Sequence, residues 1–293
     1  MTDQTIVKLE DQTGVMAQNG PMRIIIQAWD KKRPDLKLAL KAAEFAFTCL
    51  AQVAQQQTIL RHHHNYLPKG LEPIPREMVE SVMVTGEMDL TPMAAVAGSI
   101  ADAVADWLFN RKMSRVIVNN GGDIAIRLAE NETARVGIRT DIKTQAISHV
   151  VELSSRHSCW GINTSGLGGR SLTRGIASAV TAFARTSSLA DAAATAIANA
   201  CFVKDDAIIQ VIAQEIDPLT DIRDIPVTVK VGQLRKTSVI QAMNKAIKKA
   251  EQYIGMGIIQ GAFIAVGNEF LSTHGFNKRI APLKSICPQT QYY

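Results

Sequence analysis

The sequence contains few cysteines and no long uninterrupted run of apolar residues, and both shortages exclude classes of protein. Its four cysteines, Cys49, Cys159, Cys201 and Cys287, lie far apart, with neither a C-x-x-C pair nor the spacing of a metal-binding cluster. This pattern argues against a disulfide-stapled scaffold and against a cysteine metal site. Because no stretch of about 18 apolar residues occurs, we expect no membrane-spanning helix and no membrane partner.

The first residues, MTDQTIVKLEDQTG, also lack the features of a secretory signal peptide. Such a peptide needs a charged segment, an apolar segment and a small-residue cleavage site. Together with the scattered cysteines, this absence indicates a reducing compartment. We therefore expect a soluble, cytoplasmic protein.

Aromatic residues are scarce, at 5% of the 293 residues, and this bears on the choice of partner. The chain has 32 Lys+Arg against 27 Asp+Glu, a net charge of +5 that suits an anionic small molecule as well as a nucleic acid. Its most basic stretch, residues 235–249, has no interleaved aromatic residues, and Lys245, Lys248 and Lys249 fall on one side of an amphipathic helix. That pattern is typical of a solvated face, so we expect no nucleic-acid partner.

With 46% hydrophobic and 20% charged residues, the composition is that of a folded protein. No linker rich in Gly, Ser or Pro divides the chain, so we predict a single α+β domain over residues 20–284, a frayed N-terminus over 1–19 and a C-terminal tail over 285–293. Period-2 and β-branched runs predict strands at 22–28, 116–118, 123–128, 135–139, 147–153, 158–162, 179–184, 226–231 and in a hairpin over 258–271. Helical spacing predicts helices at 36–53, 76–84, 92–109, 189–200, 207–216 and 238–253.

Three segments depart from ordinary strand and helix patterns, and the first lies between two predicted strands. It reads Asn119-Asn120-Gly121-Gly122-Asp123. Paired glycines allow positive φ and a close approach of the backbone to a ligand. A plain two-residue hairpin turn explains the same residues, so this segment alone does not indicate a site.

The second segment is Thr164-Ser165-Gly166, which continues through two further glycines to Arg170. Small hydroxyl residues, accessible backbone N–H groups and an arginine are the groups that bind a phosphate. An irregular surface loop is the alternative interpretation.

The third segment places Asp191 and Thr195 one helical turn apart, with only alanines between them. Their side chains therefore share one face of the helix, about 6 Å apart, and that face can be approached closely. A hard cation such as Mg²⁺ takes carboxylate and hydroxyl oxygens and keeps positions open for substrate phosphates. Alternatively, Asp191 only counters the positive end of the helix dipole.

In this order the three segments resemble the ApbE family of Mg²⁺-dependent FMN transferases, which carry an N-x-G-G-D turn, a T-S-G loop and an A-D-A-x-x-T helix. The resemblance spans roughly residues 85–200 and is strongest to an uncharacterised branch without a signal peptide. It implies an α+β fold of two lobes, with mixed or antiparallel sheets flanked by helices around a central cleft.

The resemblance also implies a set of site residues and a reaction. FAD or FMN would bind in the cleft with Mg²⁺, and Asp191 and Thr195 would be metal ligands together with a main-chain carbonyl near Ala95. The turn residues Asn120, Gly121, Gly122 and Asp123 would line the nucleotide pocket, and Thr164, Ser165, Gly166 and Arg170 its phosphate side. In the family reaction, a Thr or Ser hydroxyl of an acceptor protein attacks the FMN phosphorus of FAD, and AMP leaves.

This sequence departs from the family after the T-S-G loop, where family members carry a histidine in an H-x-x-D-P segment. Residues 171–178 contain neither histidine nor proline. Residues 217–220 read D-P-L-T but follow the A-D-A-A-A-T helix, so we treat that match as coincidental. His157, near the T-S-G loop in sequence, is the candidate for the missing imidazole.

These departures leave two other functions open: a flavin- or metal-binding protein without catalysis, and an enzyme that uses the same cleft on a different small molecule.

The triplet at 62–64 consists of histidines, but three successive residues on a strand alternate faces, so we interpret it as an exposed strand edge. The apolar residues Trp107, Leu108 and Phe109 could belong to the core or to a contact between subunits of a homo-oligomer.

Overall fold

A computed structural model describes residues 4–140, 147–169, 171–276 and 280–282. The strands are β1 (Thr5–Lys8), β2 (Gly14–Asn19), β3 (Met22–Asp30), β4 (Arg33–Pro34), β5 (Arg115–Asn120), β6 (Asp123–Leu128), β7 (Thr133–Ile138), β8 (His149–Ser154), β9 (Cys159–Ser165), β10 (Ala179–Ala184), β11 (Ile208–Ile212), β12 (Pro226–Val231), β13 (Gly261–Val266), β14 (Glu269–Ser272) and β15 (Ile280–Pro282). The helices are α1 (Leu36–Gln55), α2 (Gln57–Leu60), α3 (Pro73–Met83), α4 (Val96–Phe109), α5 (Ser187–Ala200), α6 (Ala213–Ile216) and α7 (Lys236–Gly255). A 3₁₀ turn, Pro92–Ala95, leads into α4.

The described strands form one large antiparallel sheet and two small ones. The large sheet has the order β1-β2-β3-β5-β6-β9-β10-β13-β14, with β4 paired to β3. A second sheet has the order β15-β8-β7, and β11 pairs with β12. Each predicted strand run thus becomes one member of an antiparallel pair, and the α+β prediction is confirmed.

Alternate residues of the large sheet point into different cores. On β5, Val118 faces helices α1, α3 and α4, whereas Ile117 faces the opposite side. On β10, Ala182 faces α5 and α7, and Phe183 faces the opposite side, where β7 and β8 cover the sheet. Because both faces are covered, these strands read as continuous apolar runs. The two helical groups lie on one face and meet where α4 packs against α5.

Local capping explains where the helices near this junction begin. The hydroxyl of Thr91 accepts a hydrogen bond from the N–H of Met93 at 3.2 Å, and Pro92 occupies the first helical position, as the sequence predicts. In the same way, Thr186 accepts from the N–H of Leu189 at the start of α5. The 3₁₀ turn that leads into α4 and the helix α5 therefore each begin with a capped turn, and the functional motifs lie close to these turns.

The N-terminal residues and the segment at 207–216 differ from their predicted secondary structure. Residues 5–8 and 14–19 are strands of the large sheet and not a frayed end, because Val15 and Ala17 are fully buried against α1. In the segment predicted as a helix at 207–216, Ile208–Ile212 is a strand and only Ala213–Ile216 is helical. Its β-branched residues pair with β12, and that tertiary contact decides the conformation.

The predicted tail at 285–293 lies outside the described residues. Among the described helices, none is long and apolar enough to cross a bilayer.

Candidate functional site

The three motif segments meet in one cleft of about 560 Å³. The strand register explains why: β6 pairs with β9 so that Ile124 lies opposite Ile162, which places the end of β9 beside the glycine turn that precedes β6. The starts of α4 and α5 close the other side. The predicted site residues that line the cleft are Asn120, Gly121, Asp123, Thr164, Ser165, Gly166, Asp191 and Thr195. Gly122 lies in the turn but does not line the cleft, and Arg170 lies outside the described residues.

The glycine turn is both a hairpin and a wall of the cleft. Asn120 pairs with Asp123 across it, and Gly121 and Gly122 have φ of 70° and 113°, which favour glycine. The side chain of Asn119 accepts the N–H of Gly122 at 2.8 Å and so closes the turn. The amide of Asn120 instead donates to the carbonyl of Ala97 in α4 at 3.1 Å. This bond ties the turn to the neighbouring helix and fixes the width of the cleft on that side.

The T-S-G segment is more regular than its composition predicts. Thr164 and Ser165 are the last residues of β9, and the hydroxyl of Thr164 lies 2.9 Å from that of Thr181 on β10. The chain leaves the strand only at Gly166, after which the N–H of Leu167 donates to the carbonyl of Ala177 at 2.8 Å. Thr164 and Ser165 are therefore held by β9, an inner strand of the large sheet, and line one side of the cleft.

Asp191 is the carboxylate that the structure places most specifically. One of its oxygens accepts the N–H of Gly98 at 3.0 Å, across the contact between α4 and α5. Burial raises the pKa of Asp191 well above its usual range, and the nearby charge of Asp123 raises it further, while the Gly98 hydrogen bond opposes both. Two carboxylates that disfavour each other's charge in this way form a site where a cation would be stabilised.

Gly98 permits the close approach of the two helices at this point. A Cβ at this position would lie 2.4 Å from the carbonyl oxygen of Ser187, closer than packing allows. Only glycine therefore lets the first turn of α4 reach the first turn of α5. The same contact brings the Gly98 N–H to Asp191, so the packing of the helices and the position of the carboxylate depend on one residue.

The donor set fits a hard cation better than a transition metal. Among the described residues, no group of three or more His, Cys, Asp or Glu side chains could hold a metal ion. The cleft instead offers the carboxylates of Asp191 and Asp123 and the hydroxyl of Thr195. Oxygen ligands with open positions for substrate are the preference of Mg²⁺, whereas zinc and copper sites use His and Cys.

A buried ionic network contacts the first turn of α5, and none of its residues is among the predicted site residues. Arg127 of β6 donates to Asp102 at 2.9 Å and to Asp106 at 2.6 Å, and Asp102 also accepts the backbone N–H of Ser188 at 2.8 Å. Arg127 and Asp102 are each only 1% exposed. The sequence does carry a signal for this network: Asp102 and Asp106 lie one turn apart on an alanine-rich helix, and Arg127 interrupts the apolar run of residues 124–128 in β6.

The structure does not bring His157 to the cleft, so its assignment as the missing imidazole is corrected. His157 lies before the first residue of β9, whereas Thr164 lies near the last, and seven residues of strand span roughly 23 Å. Its ring packs edge-on against Trp160, and it lines a separate cavity with Arg185 and His274. The cause is the extended conformation of β9, which carries neighbours in sequence to opposite ends of the sheet.

The histidine triplet does not lie on the strand edge that its sequence predicts. It follows α2 in a loop. A ring nitrogen of His63 lies 3.1 Å from the carbonyl of Leu90, and one of His64 lies 2.8 Å from the carbonyl of Ile59. These contacts give the two rings structural roles in holding the loop.

The chain matches one family model and is similar to several curated proteins. A family model described as "AbpE bacteria" matches residues 6–273. The UPF0280 protein of Methanocaldococcus jannaschii is 33% identical over 144 residues, which are 48% of this chain and 58% of that protein. The UPF0280 protein of Methanobrevibacter smithii is 40% identical over 112 residues, or 38% of this chain and 46% of that protein. The chain thus spans about half the length of the curated relatives it matches.

Solved structures share the fold at low identity. The Flavin Transferase ApbE from Vibrio cholerae is 12% identical, covers 95% of this chain and 100% of its own, and has a TM-score of 0.50. A point mutant of that protein gives a TM-score of 0.52, with 94% of this chain and 99% of its own covered at 12% identity. The fold that the motifs imply is therefore confirmed. Because the family model covers nearly the whole chain, the protein belongs to the family described as AbpE bacteria, and its resemblance to ApbE proteins is confirmed.

Proposed function

We propose that this protein binds a flavin nucleotide together with Mg²⁺ in the cleft and transfers FMN from FAD to a Thr or Ser hydroxyl of an acceptor protein. The single observation that carries the proposal is the convergence of the three segments, so that Asp191 and Thr195 face the same space as the glycine turn and the hydroxyl residues of β9. The glycine turn, the end of β9 and the first turns of α5 are distant in sequence, and their convergence on one cleft supports a shared role. The names of the structural neighbours support the same class of activity.

Each part of the cleft has a task in this reaction. Asp191 and Thr195 would hold the metal ion, and Asp123 would add negative charge beside it. When bound, the ion would neutralise the charge that develops on the phosphoryl oxygens. The hydroxyls of Thr164 and Ser165 can donate to phosphoryl oxygens, and the turn at Gly121 lets the nucleotide approach the backbone.

One observation favours a second candidate, a flavin-binding protein without transferase activity. No histidine lines the described part of the cleft, and His157 lies at the other end of β9. A protein with this arrangement could retain the nucleotide and the metal without moving the acceptor's proton. The two candidates differ in one product, since only the transferase releases AMP from FAD.

The test is incubation with FAD and MgCl₂, with FAD binding followed by fluorescence and AMP release by chromatography. We expect Mg²⁺-dependent binding in the wild type and a loss of at least about tenfold in affinity in Asp191→Asn and Thr195→Val, because each removes an oxygen ligand. Asp206→Asn, at an exposed carboxylate outside the cleft, is the matched control.

Asp191→Asn keeps the shape of the side chain, so thermal unfolding should show that the variant is folded. Binding of FAD by this variant with wild-type affinity and wild-type Mg²⁺ dependence would refute the assignment of the metal site. Binding of FAD by the wild type without AMP release would favour the second candidate over the transferase.

A further inference from the structure

A separate cavity of about 300 Å³ lies at the end of the large sheet that is remote from the cleft. Its volume is at the lower end of the range for small-ligand pockets. The polar side chains among its lining residues are those of His157, Arg185, Gln260 and His274. We refer to this space as the basic cavity. It shares no lining residue with the cleft.

The strand register explains why these residues meet. Because β10 pairs antiparallel with both β9 and β13, one edge of the sheet holds the start of β9, the end of β10 and the start of β13. His157 precedes β9 by two residues, Arg185 directly follows β10, and Gln260 directly precedes β13. The cleft lies at the opposite edge, where Ser165 ends β9. The fold therefore gathers these three residues from distant parts of the sequence at a place of their own.

Backbone hydrogen bonds fix two of the walls. The N–H of Gln260 donates to the carbonyl of Phe183 at 2.6 Å, which ties the residue to β10. The N–H of His274, in the turn after β14, donates to the carboxylate of Glu251 on α7 at 2.7 Å. The positions of Gln260 and His274 are thus set by neighbouring elements and do not depend on a ligand.

The basic cavity has positive charge and no opposing carboxylate. No aspartate or glutamate is among its lining residues. Within the part of the chain that the structure describes, Arg185 forms no ion pair, and the ring nitrogens of His157 and His274 form no hydrogen bond. All three side chains are exposed, so a solute can reach them. A guanidinium and two imidazoles with free N–H groups are donors that recognise an anion.

The end of α7 borders the basic cavity and does not cancel this charge. The last carbonyls of a helix carry a partial negative charge that disfavours anions. Here Gly257, with φ of 73°, donates its N–H to the carbonyl of Ile254 at 3.0 Å, and Ile258 donates to that of Tyr253 at 2.9 Å. This pair of bonds is a Schellman motif, which satisfies the two carbonyls.

The donor set fits an anion and not a metal ion. Over the described residues, no group of three His, Cys, Asp or Glu side chains could hold a metal, and the guanidinium of Arg185 would repel a cation. The side-chain oxygen of Gln260 is buried and has no hydrogen-bond partner among these residues, which is uncommon in folded proteins. A ligand that carries a hydroxyl beside its anionic group can supply the missing donor.

We propose that the basic cavity binds the phosphate group of a small molecule. A guanidinium can pair with two phosphate oxygens at once, and each imidazole can donate to one more. Donors from Arg185, His157 and His274 around one group suit a phosphate better than a single carboxylate, because a phosphate offers more oxygens. The site is independent of the proposed function, since it lies at the other end of β9 from the cleft.

Calorimetric titration of the full-length protein with glycerol 3-phosphate tests the proposal, with glycerol as the matched probe that lacks the phosphate. We expect saturable binding of glycerol 3-phosphate and none of glycerol. Arg185→Gln and His274→Asn should each raise the Kd by at least about tenfold, because each removes a hydrogen bond to a charged group. Arg156→Gln and His62→Asn are the matched controls, since both side chains are exposed and neither lines the basic cavity.

Histidine ring signals in an NMR titration locate the ligand without any substitution. Glycerol 3-phosphate should shift the signals of His157 and His274 and leave that of His62 unchanged. Absence of saturable binding, unchanged affinity in Arg185→Gln and His274→Asn, or shifts at His62 alone would overturn the proposal.

Competition with FAD separates this site from the cleft. Excess FAD with MgCl₂ should not displace glycerol 3-phosphate. Displacement would place the phosphate in the cleft and would also overturn the proposal. A failure of FAD to bind would refute only the proposed function, and the variants and ring signals would still decide the case of the basic cavity.

Discussion

The partly buried carboxyl group of Glu77 makes the stability of this protein depend on pH in a direction opposite to that of an ordinary ion pair. Glu77 lies on α3 and accepts the hydroxyl of Ser188, in the first turn of α5, at 2.8 Å. Its pKa is raised from 4.5 to about 7, first by burial and then by the charge of Asp102. The folded protein therefore binds this proton more tightly than the unfolded chain does.

The sign and the size of the effect follow from linkage. The stabilisation from the protonated group is fully present below the unfolded pKa and is lost as the pH rises through the folded pKa. A difference between 4.5 and about 7, at 1.36 kcal/mol per pKa unit, corresponds to up to about 3 kcal/mol. Glu77→Gln cannot ionise and keeps an oxygen that accepts from Ser188. We therefore expect that the variant does not show the loss of stability that ionisation of Glu77 causes in the wild type as the pH rises.

Urea unfolding followed by tryptophan fluorescence at several pH values from 5 to 8 measures the effect. The unfolding free energy of Glu77→Gln minus that of the wild type should rise by about 2–3 kcal/mol between pH 5 and pH 8. Glu80→Gln is the matched control, because Glu80 is exposed on the same helix and pairs only at 3.7 Å with Arg76. If the curves for Glu77→Gln and the wild type run parallel in pH, the reasoning is wrong.

Two further changes test the support of α5. Arg127→Met leaves buried Asp102 without its cation, so we expect a loss of about 3–5 kcal/mol in urea unfolding at pH 7, and a loss under about 1 kcal/mol would contradict this. Gly98→Ala places a Cβ 2.4 Å from the carbonyl oxygen of Ser187. We expect it to cost about 1–3 kcal/mol and to weaken Mg²⁺-dependent FAD binding, because the N–H that holds Asp191 must move; unchanged affinity in a calorimetric titration would contradict this.

Local patterns in the sequence predicted most of the regular elements, and most of the predicted site residues line the cleft. The helix predicted at 36–53 and the strand at 22–28 follow from a single period of apolar residues, because each buries one continuous set of side chains. The site residues that line the cleft could be predicted because they belong to three short motifs. Each motif is ambiguous alone, as the turn at Gly121 shows, since it is a hairpin in addition to a wall of the cleft.

The sequence was insufficient wherever a distant partner decides the structure. Residues 207–216 were predicted as one helix, whereas Ile208–Ile212, which is rich in β-branched residues, pairs with Pro226–Val231 as a strand. The position of His157 could not be predicted, because proximity to Thr164 in sequence becomes distance along an extended strand. The placement of Asp217, Leu219, Thr220 and Asp221 around the same cavity as Thr195 is the converse case, a long separation in sequence that the fold closes.

The buried network and the candidate metal site act on each other through charge. Asp102 accepts the N–H of Ser188 and thereby stabilises the first turn of α5, but its charge also raises the pKa of Asp191 one turn further along. Arg127 carries the compensating charge: burial opposes it, yet Asp102 and Asp106 outweigh the burial and keep its pKa above the usual value. Arg127 thus pairs with Asp102, the carboxylate that accepts the backbone N–H of Ser188 in the first turn of α5. The larger repulsion on Asp191 comes from Asp123, inside the cleft, where a cation can relieve it.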